Sequence, residues 1–154
     1  MAVRPRRVFE LMNPDVVTLR PEHSLVEAQQ ILSSKSVSGA PVVDASGRVL
    51  GVVSQNDLVR RAAHPDTVAQ AGQFFSSVED YADLGLTPVA PSSQHVSDVL
   101  TPRVYSVNRD TGVAVAANIM RERRIHRLLV IDKGVLVGII SALDLVRVLR
   151  DQEA

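Results

Sequence analysis

"GVVSQNDLVR" (51–60) and "GIISALDLVR" (138–147) share Gly, Ser, Asp, Leu, Val and Arg at the same six positions. Each stretch starts as an apolar strand and turns at Ser-x-x-Asp into a helix. Ser54 and Ser141 suit the N-cap, and Asp57 and Asp144 fall in the first helical turn, where a carboxylate is favoured by the helix dipole. Gly51 and Gly138 stand inside strands, where glycine weakens the strand and marks close approach of another backbone or of a ligand. Two readings stay open: a helix start written twice, or a half-site written twice.

The repeat extends well beyond these stretches. "VFELMNPDVVTL" (8–19) aligns with "VSDVLTPRVYSV" (96–107), so that Pro14 falls on Pro102, 88 residues later. The same offset carries Ala28 to Ala116, Ile31 to Ile119, Val42 to Val130 and Asp44 to Asp132. One residue is lost at the turn, and Gly51, Ser54, Asp57 and Arg60 then fall on Gly138, Ser141, Asp144 and Arg147. Such a register over about 55 residues marks an internal duplication.

Each copy reads β-α-β-β-α. In the first, "VVTL" is a strand and "SLVEAQQILSS" a helix, with Ser24 as N-cap and Glu27 completing a capping box. Leu25, Ala28, Ile31 and Leu32 share one helix face. "APVVD", the turn "ASGR" and "VLGVVS" form a hairpin, and a helix follows from Ser54. In the second copy "VYSV", "VAVAANIMRER", "RLLVID", a tight "KG" turn, "VLVGIIS" and "ALDLVRVLR" follow the same order. "PVV" and "LLVI" do not alternate, as expected of strands covered on both faces. A unit of this size buries too little surface to stand comfortably alone. The expected architecture is α/β (α+β): two pseudo-symmetric repeats packed sheet to sheet. The boundaries read as an arm over 1–7, a first repeat over 8–62, an insert and linker over 63–95, a second repeat over 96–150 and a tail over 151–154.

Composition narrows the classes. Lys+Arg and Asp+Glu both number 17, which argues against general affinity for nucleic acid or an anionic membrane. The 154 residues contain no cysteine, so disulfides and thiolate chemistry are excluded, and a cytoplasmic setting is expected. No window is long and apolar enough to span a bilayer, and the basic N-terminus lacks a signal peptide's apolar run. His23, His64, His95 and His126 show no metal-ligand spacing. No nucleophile set or P-loop is present. "RERRIHR" (121–127) ends a helix, where cations suit the dipole, and reads first as a solvated helix end.

Within the insert, Val68, Ala71, Phe75, Val78 and Ala82 recur at helical spacing over 66–86, with Asp66 after Pro65 as N-cap. Phe74, Phe75 and Tyr81 are three of the chain's five aromatics. The segment reads as a helix packed on its own domain or a second subunit, with a lid or partner-docking element as the sharper alternative.

The duplicated pattern V-x-[ED]-h-h-x-P, A-x-x-h-h, h-h-V-h-D and G-h-h-S-x-x-D-L (h, apolar) resembles a tandem pair of CBS domains, a Bateman module, over about 110 residues. That resemblance implies a sensor and not an enzyme. It implies an adenosine-type ligand, of the AMP, ADP or ATP class or S-adenosylmethionine, held in the cleft between the repeats, with no cofactor required. It further implies a homodimer and an unnamed client protein. By the same resemblance Asp57 and Asp144 hold ribose hydroxyls, Ser54 and Ser141 lie near phosphate, Ser38 and His126 with Gly39 and Arg127 face the phosphates, and Asn13 and Thr101 meet the base.

The residue types suit these roles. A carboxylate accepts both hydroxyls of a cis-diol, a helix start favours an anion, and arginine bonds phosphate through two N–H groups. His126 adds charge only when protonated. The first repeat offers Ser38 and Gly39 where the second offers His126 and Arg127, so the stronger site is expected on the second. The alternative is a ligand-free dimerisation scaffold whose aromatic insert over 66–86 docks a partner; family members that regulate thioredoxin in plastids resemble this chain in carrying a long insert between their CBS halves.

Overall fold

The computed structural model describes residues 6–63, 73–76 and 89–153. Twelve elements are described: α1 (Val8–Leu11), α2 (Leu25–Ser34), β1 (Gly39–Val43), β2 (Val49–Ser54), α3 (Gln55–Ala63), α4 (Gln73–Ser76), α5 (Val96–Val99), β3 (Ser106–Val107), α6 (Val113–Arg123), β4 (Arg127–Asp132), β5 (Val135–Ser141) and α7 (Ala142–Glu153). They fall into two compact units. One is continuous, Val17–Val104; the other is split, Met1–Val16 with Tyr105–Ala154.

In the continuous unit β1 and β2 pair antiparallel, Gly39 opposite Ser54 through Val43 opposite Val49. All five residues of β1 are buried, which explains why the strand does not alternate. Its core gathers Leu19, Leu25, Ala28, Leu32, Val42, Val53, Leu58, Val96 and Val99. The strand expected over "VVTL" contributes one parallel bridge, Leu19 to Val42. Helix α2 begins as its sequence requires: the Glu27 N–H donates to Ser24 Oγ at 3.1 Å and the Ser24 N–H to Glu27 Oε1 at 3.4 Å. Ser24→Ala should therefore cost about 1 kcal/mol of stability, read by denaturant unfolding.

In the split unit β4 pairs parallel with β3 and antiparallel with β5, Arg127 opposite Ser141. Each antiparallel pair has its register break at the same repeat position, Val42/Val43 and Val130/Ile131. The "KG" turn holds Lys133 at φ 52° and Gly134 at φ 82°, the left-handed pair that a two-residue hairpin requires. The longer "ASGR" turn is organised by Asp44. Its Oδ1 accepts the Ser46 hydroxyl at 2.7 Å, the Ser46 N–H at 2.9 Å and the Arg48 N–H at 3.0 Å. The Ser46 hydroxyl first, and the Arg48 N–H next, hold that carboxyl below the ordinary value of 3.8.

Two short helices were not anticipated. Both α1 and α5 are single turns closed by an acid at their third position: Glu10 accepts the Arg7 N–H at 2.6 Å and Asp98 the His95 N–H at 2.8 Å. Of the helix expected over 66–86, α4 is described and the remainder lies outside the described residues. Phe74 and Phe75 are buried, ring edge to ring face at 4.9 Å, so these aromatics pack inward. No helix among the described residues is long and apolar enough to cross a membrane.

Candidate functional site

The continuous unit brings together Ser38, Gly39, Ser54, Asp57 and Thr101. Ser54 closes β2 and Asp57 lies in the first turn of α3. They bond reciprocally: the Ser54 N–H donates to Asp57 Oδ2 at 3.1 Å and the Asp57 N–H to Ser54 Oγ at 3.2 Å. The other carboxylate oxygen accepts Arg60 Nη2 at 2.7 Å. Ser38 lends its carbonyl to the Gln55 N–H at 2.8 Å, which closes the start of α3. Thr101 lies antiparallel to β2, exchanging both backbone hydrogen bonds with Val52 at 2.9 Å. Its buried Oγ1 has no hydrogen-bond partner among the described residues.

The split unit repeats the arrangement with Asn13, His126, Arg127, Ser141 and Asp144. The Ser141 N–H and hydroxyl donate to Asp144 Oδ2 at 2.8 and 3.1 Å, and the Asp144 N–H returns to Ser141 Oγ at 3.3 Å. The His126 carbonyl accepts the Ala142 N–H at 2.8 Å, matching Ser38. Arg127, opposite Ser141, is buried, whereas Arg121, Arg123 and Arg124 of the same basic cluster are exposed. Asn13 exchanges backbone bonds with Ile139 at 2.8 and 3.0 Å, and its Oδ1 accepts the Asp15 N–H at 2.9 Å.

Thus each residue before the proline joins the sheet of the other repeat: Asn13 lies on β5, Thr101 on β2. This exchange explains the two strand glycines. A Cβ on Gly51 would stand 2.5 Å from the Thr101 carbonyl oxygen, and one on Gly138 2.5 Å from Met12 Sδ and 3.1 Å from the Asn13 carbonyl oxygen. The close approach expected there is that of the chain's own exchanged segment, so these glycines do not speak for a ligand.

The two carboxylates differ in availability. The Asp57 side chain is 6% exposed and its partner Arg60 23%, with the pair at 2.7 Å. Asp144 is 16% exposed and Arg147 66%, with the pair at 3.5 Å. An exposed, longer pair is weak and easily exchanged for another bonding partner. The arginines went unassigned in the sequence reading, although both belong to the six shared positions and sit three residues after the aspartates. Helical spacing of three brings them together. No cluster of three or more metal-ligating side chains occurs among the described residues.

Comparison with known proteins matches this duplication. Residues 8–64 and 96–151 each match the CBS domain. The chloroplastic CBS domain-containing protein CBSX1 of Arabidopsis thaliana is 28% identical over 148 residues, covering 90% of this chain and 61% of that protein. The chain spans between 23% and 62% of the length of four curated relatives it matches. Among solved structures, CBSX2 of Arabidopsis thaliana in complex with AMP superposes with a TM-score of 0.70 at 25% identity, covering 96% of this chain and 98% of that one. The CBS domain pair of protein MJ0100, in complex with 5′-methylthioadenosine and S-adenosyl-L-methionine, gives 0.66 at 19% identity over 96% and 98% of the two chains, a likeness of fold. The matched stretches take in both twin motifs and most of the chain: the protein belongs to the CBS-domain family and carries two of its domains.

Proposed function

We propose that this CBS pair is a regulatory module, without catalytic activity of its own, that binds an adenine nucleotide of the AMP, ADP or ATP class. The split unit is its principal site. The observation that carries this reading is the grouping of His126 and Arg127 with Ser141 and Asp144 at the start of α7. There the positive end of a helix dipole, a guanidinium and a carboxylate supply a setting for phosphate and an acceptor for ribose hydroxyls. The continuous unit, with Ser38 and Gly39 in the matching places, has the same carboxylate and cap without the cation. The likeness to AMP-bound CBSX2 supports the ligand class, and S-adenosylmethionine is the second candidate of the same chemistry. Nucleotide binding changes the module's contacts only to the extent that one arrangement binds it better than another. Leu143, Val146 and Leu149, an exposed apolar stripe on α7, support a homodimer as the assembly whose contacts respond.

Titration calorimetry with AMP, ADP, ATP and S-adenosylmethionine tests the reading. At least one should bind, and Asp144→Ala should weaken it on the order of tenfold or more, the scale of one lost charge-assisted bond. Absence of heat with all four, well above millimolar concentration, overturns the proposal. A larger binding loss from Asp57→Ala than from Asp144→Ala overturns the assignment to the split unit.

A further inference from the structure

The repeat places Gly39 where the second copy has Arg127, each at the start of its middle strand and opposite the cap serine, Ser54 or Ser141. The ground beside Gly39 is not open. A Cβ there would lie 3.0 Å from Phe74 Cδ2, besides 2.6 Å from the Val53 carbonyl oxygen and 3.1 Å from Ser54 Cα. Phe74 is buried in this position and braced edge to face by the fully buried Phe75. An aromatic side chain from the insert thus stands against the Gly39–Ser54 pair, where the continuous unit's candidate residues gather. Beyond β2, Thr101 bridges to Val52, two residues before Ser54, and keeps a buried hydroxyl without a hydrogen-bond partner among the described residues.

We propose that Phe74 is the residue that sets the affinity of the continuous unit for the nucleotide: it holds the ground beside Gly39 and Ser54, and a ligand binds there only by displacing it. The inference rests on the nucleotide reading given above. A site closed by its own chain binds with an apparent affinity reduced by the fraction of molecules in which it is open. A phenyl ring is well accommodated beside a glycine, which has no Cβ to exclude it, and it offers no hydrogen bond. The unpartnered Thr101 hydroxyl is what a closed polar site retains, and it carries a standing cost that a polar ligand would relieve. The split unit has Arg127 at the corresponding position, so the two units, alike in cap and carboxylate, rank differently.

Calorimetric titration of the full chain with AMP decides the matter. The parent should show one strong event per chain. Phe74→Ala should add a second event, on the order of tenfold or more tighter than any second event in the parent. Adding Thr101→Val, which removes the hydroxyl at nearly constant shape, should weaken that second event and leave the first unchanged. Should Phe74→Ala fail to fold by circular dichroism, Phe74→Leu gives the same readout at smaller amplitude. Unchanged AMP binding on substitution of Phe74 overturns the inference and leaves the nucleotide reading standing, as do two equal events in the parent. No heat from parent or variant overturns both.

Discussion

Gly51→Ala should lower the unfolding free energy by about 3 kcal/mol, the upper part of the range for overpacking a filled interior. The new methyl would stand 2.5 Å from the Thr101 carbonyl oxygen and 2.7 Å from Leu100 Cδ1. Val52 and Thr101 exchange two backbone hydrogen bonds beside it, so the oxygen can retreat only by stretching them. Gly138→Ala, at the matching position, should cost about 1 kcal/mol, because its nearest obstacle is the Met12 side chain and an unbranched thioether can rotate away. Denaturant unfolding of both variants checks the ranking, and equal losses would mean that the exchanged segment on β2 yields as readily as a methionine side chain.

Asp57→Ala should cost about 2–3 kcal/mol, whereas Asp144→Ala should cost about 1 kcal/mol. Removing Asp57 strips the Ser54 N–H of its acceptor and takes from the Arg60 guanidinium, whose buried Nε has no hydrogen-bond partner among the described residues, the carboxylate it bonds. Breaking such a pair costs more than forming it contributes, since the remaining charge stays desolvated. Asp144 has the same cap role, but its arginine reaches into solvent and needs no partner. Stability and AMP affinity measured on both variants should therefore cross: the larger folding loss from Asp57, the larger binding loss from Asp144. If one variant suffers both losses, the division of labour between the two aspartates is wrong.

Much of the fold was legible because its signals are local. Ser24 and Glu27 announce a capping box, the Lys133–Gly134 pair a two-residue hairpin, and the repeat gives element order twice. The one-turn helices α1 and α5 were not legible, because four residues fall short of any periodic pattern and a helix that short forms only against a sheet already in place. The exchange of Asn13 and Thr101 between repeats was also hidden. Both sheets offer the same glycine-marked edge, so local chemistry accepts either segment and only the closed chain decides. For the same reason the strand glycines could be read toward a ligand as easily as toward a backbone. At the site, residue identities were legible and their availability was not: Arg60 and Arg147 repeat in sequence alike, yet one is held in a buried pair and the other in an exposed one.

The split unit has a consequence for how the protein is made. The continuous unit ends at residue 104, and by then the chain contains β1, β2 and the exchanged segment at Thr101. The segment around α1 is made well before it is used, since Asn13 meets its partner only when Ile139 arrives. A chain stopped between those two points holds one finished unit and a leading segment whose proper sheet does not yet exist. Domains that close in order of synthesis fold as separate steps, and long-range pairings form slowly. The strand that opens the second copy of the twin motif is thus what the segment around α1 must wait for.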